Sequence, residues 1–268
     1  MEFMDGISFV CDNTAKAIYN SDVNSLTAWG AASRIRKEIT QDEMQGLAKL
    51  NLQLLAFGSE TCEIFVNAGS DFASPLQRTK IEVNIGLEPQ IVAGYTHYYA
   101  ELGGRLYFIG RDAAAISLGV YAFDGAKFEK VSTPAIDKIL TENSGCNFSV
   151  NKVVFSGKEA VAFALDATTA ATQRSLLFFP AWKDWFEWSS TIFTPVNNGE
   201  WFLGTGTNQH LLRRISRATS NWQDAGTDYT WTHQFKLPAQ DNSRKRMDMF
   251  GVVGDTARSA SSLNVQFS

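Results

Sequence analysis

Short apolar runs rich in phenylalanine recur along this 268-residue chain at a spacing that suits one four-stranded β-blade each. The runs centre on Phe9, Phe57, Phe108, Phe163 and Phe202, so successive steps are 48, 51, 55 and 39 residues. Steps of about 40 to 50 residues match propeller blades when the segments between are β. Several segments also repeat a local plan of inner strand, turn and second strand. It reads Leu106-Tyr-Phe-Ile-Gly110, Val120-Tyr-Ala-Phe-Asp-Gly125 and Phe128-Glu-Lys-Val-Ser-Thr133. Looser copies are Ala160-Val-Ala-Phe-Ala164, Ser175-Leu-Leu-Phe-Phe179 and Trp185-Phe-Glu-Trp-Ser189. The expected fold is all-β: a β-propeller with short helices in inter-blade loops and a small additional β element at the C-terminus. A ring of loops about an axis confines function to binding, assembly or a central site.

Composition narrows the classes further. The 19 Phe and 7 Trp suit large packed interfaces between sheets. A net charge of −4 gives no bulk attraction to nucleic acid, so any contact with phosphate must be local. No run of about 18 apolar residues predicts a transmembrane helix. Residues 1–20 lack a basic stretch followed by an apolar one, which predicts no secretory signal. Cys11, Cys62 and Cys146 are odd in number and far apart; they read as small apolar residues rather than a disulfide framework.

Strands are expected at Ile7–Cys11 and Ala17–Tyr19, joined through Asp12-Asn13, and at Leu52–Phe57. Thr40-Gln-Asp-Glu43 has the pattern of a capping box, and Met44, Leu47 and Ala48 follow at helical spacing, predicting a helix of about three turns. Thr133-Pro134 predicts a second helix start, with Ile136, Ile139 and Leu140 on one face and a stop at Asn143-Ser-Gly145. Asp124-Gly125 is the strongest hairpin signal. The blade rhythm fades after Ile215. The expected organisation is a propeller over residues 1–216, a linker-like segment over 217–228 and a C-terminal β segment over 229–268, where Tyr229–Leu237 alternates as a strand does.

Sites of chemistry are sparse. His97, His210 and His233 lie at no ligand spacing from one another or from cysteine, so neither a metal nor a cofactor is expected. No G-x-S-x-G, P-loop or dinucleotide-binding glycine pattern is present, and Gly204-Thr-Gly206 reads as a turn in a strand-rich stretch. Asp112, Asp124, Asp166, Glu60 and Glu101 lie near strand ends, where turn geometry explains a carboxylate as well as catalysis does. Asn20–Trp29 superficially suggests a sialidase Asp-box, but Asn20, Asn24 and Leu26 stand in the Ser, Gly and Thr places. Two basic clusters remain, Arg213, Arg214 and Arg217, then Arg244, Lys245 and Arg246. They read as solvated strand ends or as electrostatic contacts with an acidic partner or DNA phosphate.

An ordered series of short motifs resembles one known family. It runs from Asp5-Gly6 through Tyr19-Asn-Ser-Asp-Val-Asn24 and Trp29 to the Asp42 segment. Leu55-Ala-Phe-Gly58, Glu60-Thr-Cys-Glu63, Asn67-Ala-Gly69, and Phe72 leading into Pro75-Leu-Gln-Arg78 follow. Gly86, Gly110, Val120-Tyr121 and Val131-Ser-Thr133-Pro-Ala135 complete it, over roughly residues 3–140. The series is similar to that of the packaged-DNA stabilisation proteins of short-tailed bacteriophages, which form the tail hub or nozzle. The resemblance implies a non-enzymatic virion protein of the tail, assembled with itself as a six-fold ring below the adaptor and portal. The implied partners also include tail fibre, tailspike or needle proteins and the packaged double-stranded DNA passing through the lumen. No motif carries over as catalytic. The competing expectation is a carbohydrate-active or carbohydrate-binding propeller acting on host surface glycans, with Trp182, Trp185 and Trp188 as stacking platforms.

Overall fold

Each phenylalanine that sets the spacing lies on an inner strand of its own antiparallel sheet, paired on both sides. The computed structural model describes residues 1–36, 42–69, 74–82, 85–88, 98–112, 117–155, 157–166, 174–188, 194–196, 201–206, 209–214, 223–224 and 227–228. The first sheet runs β1 (Glu2–Met4), β2 (Ile7–Asp12), β3 (Ala17–Asn20) and β4 (Arg34–Arg36), with Phe9 on β2. The second runs β5 (Met44–Leu50), β6 (Gln53–Gly58), β7 (Cys62–Asn67) and β8 (Leu76–Glu82), with Phe57 on β6. The third contains β9 (Ile85–Leu87), β10 (Tyr99–Leu102), β11 (Arg105–Asp112), β12 (Ser117–Phe123) and β13 (Phe128–Lys130), with Phe108 on β11. After helix α1 (Pro134–Glu142) comes the fourth, β14 (Asn147–Phe155), β15 (Lys158–Asp166), β16 (Arg174–Phe179) and β17 (Asp184–Trp188), with Phe163 on β15. The fifth is described as three strands, β18 (Thr194–Val196), β19 (Trp201–Gly206) and β20 (Gln209–Arg214), with Phe202 on β19. A two-strand ladder, β21 (Gln223–Asp224) with β22 (Thr227–Asp228), falls in the segment expected to be a linker.

The chain divides into two compact units, Met1–Thr227 and Asp228–Ser268. All five sheets belong to the first. The expected Tyr229–Leu237 strand lies outside the described residues.

Burial on both faces explains why the sequence shows continuous apolar runs instead of alternation. On β6, Leu54 and Ala56 pack into a core with Met4, Ile7, Phe9 and Ile18 of the first sheet. Their neighbours Leu55 and Phe57 pack the other way, against Leu106, Phe108 and Phe123 of the third. Along β11, Tyr107 and Ile109 turn instead to the fourth sheet and α1. On β15, Phe163 faces the third sheet while Ala160 and Ala162 enter a further cluster with Leu177 and Phe179. Phe9, Phe57, Phe108 and Phe163 are all fully buried. Each such side chain contributes roughly 1.5–3 kcal/mol of transfer free energy. The first strands of successive sheets approach one another, β1 with β5, β10 with β14 and β14 with β18. Four-stranded sheets stacked face to face with their first strands adjacent are the blades of a β-propeller.

Two turn signals hold and one helix does not. Thr133 caps α1, its hydroxyl accepting from the Ile136 amide, with Pro134 in the first turn and Ile136 and Leu140 buried. Asp124 Oδ1 accepts from the amides of Ala126 and Lys127, closing the β12–β13 hairpin with Gly125 at φ +95°. The helix expected after Thr40 is instead strand β5, whose pairing with β6 shifts register between Met44 and Gly46. That bulge changes the parity of the strand, so Met44 and Leu47, three apart, reach the same core. Ala48 then belongs to the opposite face. The helical spacing was produced by a bulged strand buried on both sides. Thr40 lies outside the described residues, and Asp42 serves a different role described below.

Candidate functional site

A few polar contacts of the described residues tie one sheet to the next, and others brace strands within a sheet. Asp42, before β5, accepts from the backbone amides of Glu60 and Thr61 and from the Thr61 hydroxyl, pinning the β6–β7 turn. Gly86 on β9 passes against that same turn: a Cβ there would sit 2.1 Å from the carbonyl carbon and oxygen of Ser59. Asn67 reaches back to the first sheet, donating to Asp5 Oδ2 at 3.0 Å, with Asp5 and Gly6 both at positive φ in the β1–β2 turn.

Two buried carboxylates brace strands within their own sheets. Glu63 on β7 is fully buried and pairs with Arg78 on β8 at 2.6 Å. Arg78 also lies over the Phe65 ring at 5.4 Å and donates to the Arg36 carbonyl at the end of β4. Glu88, just beyond β9, is held by two guanidinium nitrogens of Arg111 at 3.0–3.2 Å. Burial pushes the Glu88 carboxyl above its ordinary value, and the Arg111 hydrogen bonds and charge oppose the shift.

A third cluster joins three blades near their first strands. Tyr99 on β10 donates to Glu2 Oε1 of β1 at 2.6 Å. Tyr98 donates to the Leu47 carbonyl and accepts from the Leu47 amide, so its hydroxyl completes the backbone of β5. Gly46 makes room for it, since a Cβ there would lie 2.5 Å from the Tyr98 ring. Burial raises both tyrosines and Glu2 above their usual pKa values. Both tyrosines act here as hydrogen-bond donors, Tyr99 to the Glu2 carboxyl and Tyr98 to the β5 backbone.

No set of His, Cys, Asp and Glu among the described residues could hold a metal ion. None of the three cysteines is disulfide-bonded. Asp124 is half-buried in its turn, and the Lys127 and Ala126 backbone hydrogen bonds hold its pKa below the ordinary value. Arg213 and Arg214 occupy successive positions on β20, opposite Phe202 and Trp201, positions that alternate between the two faces of a sheet. Arg217, Arg244, Lys245 and Arg246 lie outside the described residues, as do His97 and His233. The proposed tryptophan platform does not form as a unit. Trp185 packs between Phe163 and Phe178 and donates to the Val131 carbonyl, whereas Trp182 is exposed and stacks on Phe179. The carboxylate pairs were missed by sequence reasoning, since Glu63, Glu88, Arg78 and Arg111 sit in no catalytic or metal spacing.

A family model described as Phage_stabilise, bacteriophage P22 Gp10, beta-propeller, matches residues 1–174. The chain belongs to this family. The match spans the first three sheets and enters the fourth, and so includes the Asp42, Glu63, Glu88 and Tyr99 contacts. No curated protein sequence matches the chain. Among solved structures, one chain of a complex described as "S. cerevisiae dbp5 l327v bound to nup159, gle1 h337r, ip6 and adp" is similar at 12% identity and a TM-score of 0.36. That likeness covers 66% of this chain and 43% of the other. Membership in a phage stabilisation family makes the chain a structural phage protein. No helix among its described residues is long and apolar enough to cross a membrane.

Proposed function

We propose that this phage stabilisation protein is a tail component that assembles with itself into a ring below the portal and adaptor, retains the packaged genome and provides its ejection channel. The single observation that carries this reading is the family match over residues 1–174. The Asn67–Asp5, Arg78–Arg36 and Tyr99–Glu2 hydrogen bonds between sheets are consistent with a rigid structural part. A ring of this kind is closed and heterologous, each copy using two different patches. Tail fibre, tailspike or needle proteins would attach to the same ring. The net charge of −4 suits a channel along which DNA slides, because many phosphate contacts would hold the duplex. The basic residues Arg213, Arg214, Arg217, Arg244, Lys245 and Arg246 are assigned to local contacts with DNA phosphate or an acidic partner.

The test is the copy number of this chain in purified particles, counted against the portal ring by quantitative mass spectrometry. About six copies per portal ring are expected for a six-fold assembly. Absence from particles, or a variable trace amount, overturns the reading.

A further inference from the structure

The first sheet packs one face on the second sheet, and its other face carries Val10, Tyr19 and Arg34 in register across β2, β3 and β4. The β3–β4 connection, residues 21–33, folds back beside that face as a hydrogen-bonded loop. Ser25 Oγ accepts from the Thr27 and Ala28 amides, the Asp22 amide donates to the Ala28 carbonyl, and the Trp29 indole N–H donates to the Leu26 carbonyl at 3.0 Å. An open depression of about 540 Å³ lies between this loop and the β2–β3 hairpin, lined by Val10, Cys11, Asp12, Asn13, Tyr19 and Trp29. That volume falls within the roughly 300–1,000 Å³ of small-ligand sites.

The lining combines a flat apolar wall with unspent polar groups. The indole N–H is used internally, so Trp29, 38% exposed, offers its ring face alone. Asp12 Oδ1 takes the Ala15 amide, leaving Oδ2 as an acceptor. Asn13 is exposed, with an amide able both to donate and to accept. The Tyr19 hydroxyl accepts from Arg34 at 3.1 Å and keeps its own proton to donate.

The geometry points to a saccharide-binding subsite on the first blade, with a pyranose laid C–H face down on Trp29 and its hydroxyl edge toward Asp12, Asn13 and Tyr19. A pyranose has that division of character, one apolar C–H face and a rim of groups that both donate and accept. An anionic ligand would meet the Asp12 carboxylate. A cation would compete with Arg34, whose guanidinium already lies 5.8 Å over the Tyr19 ring. Among the described residues the depression is lined by a single carboxylate, Asp12, which suits binding of a sugar and not the paired carboxylates of glycoside hydrolysis. This inference concerns a surface function beyond the ring and stands whether or not the ring forms.

The test is saturation-transfer difference NMR on the full chain with the methyl glycosides of glucose, galactose, rhamnose and N-acetylglucosamine. Transfer from the protein to ring C–H protons of at least one glycoside is expected, with affinity near 1 mM. Trp29→Ala should abolish it, Asp12→Asn should weaken it about tenfold, and Trp29→Phe should retain it within a few-fold. Trp182→Ala, which removes an exposed tryptophan of the fourth sheet, should leave it unchanged. Thermal midpoints confirm that each variant is folded; should Trp29→Ala unfold, the contrast between Asp12→Asn and Trp29→Phe decides. No transfer to any of the four glycosides, equal binding by Asp12→Asn, or displacement by choline overturns the assignment.

Discussion

At the scale of single residues, the sheets rest on a few buried charges whose loss should be costly. Glu63 has one carboxylate oxygen without a hydrogen-bond partner, so the charge depends on Arg78. Arg78→Ala leaves that carboxylate buried and uncompensated, and should cost about 3–5 kcal/mol of unfolding free energy in a urea titration. Glu2 gives a signed pH prediction. Burial holds its pKa above the usual 4.5, so between 4.5 and the raised value the folded state binds the proton more than the unfolded state does. Its contribution to stability is therefore fully present below pH 4.5 and is lost as pH rises through the raised value. Thermal midpoints measured from pH 7 downward should rise for the native chain relative to Glu2→Gln. A constant difference between the two across that range would show that Glu2 does not titrate in this way. Neither pairing was legible beforehand: the partner of Glu63 lies 15 residues away on the neighbouring strand β8, and that of Glu2 lies 97 away on another sheet.

At the scale of elements, local chemistry was legible where it was self-contained. Thr133-Pro134 and Asp124-Gly125 each carry their own cap or turn, so the sequence and the fold agree there. Strand β5 was misread because its bulge and two-sided burial imitate a helical spacing, and the bulge depends on contacts remote in sequence. Glycines at the seams report the same dependence. Gly86 was visible only as part of a motif, and its reason is the Ser59 backbone against which β9 lies. Gly86→Ala must push two backbones apart, since the obstacle is no flexible side chain. A loss of about 1–3 kcal/mol or more is expected by chemical denaturation, larger than for Gly103→Ala, whose surroundings are open. Gly103 carries a separate conformational cost at φ +61°, which makes the comparison a demanding one.

At the scale of the whole molecule, the five-fold recurrence of phenylalanine was the most legible feature, because each marks an inner strand of its sheet and is buried wherever its side chain is described. The basic clusters were the least legible: two of their members alternate along one strand. Net charge sets the expectation for DNA. The purified chain at about 0.15 M salt should bind linear duplex no tighter than the non-specific range of about 10⁻⁴–10⁻⁶ M. Nanomolar binding in a fluorescence-anisotropy titration would point to a gripping surface in place of a sliding one.

The third blade differs from its neighbours in how its first position is filled. One end of β11 pairs with β10 and the other end with β9, and each half has its own anchor, the Tyr99–Glu2 bond on one side and the Glu88–Arg111 pair on the other. β11 thus works as a splint across a broken bone. A reporter or affinity handle inserted between Glu88 and Tyr98 should leave both β9 and β10 set against β11, an unchanged thermal midpoint being the check.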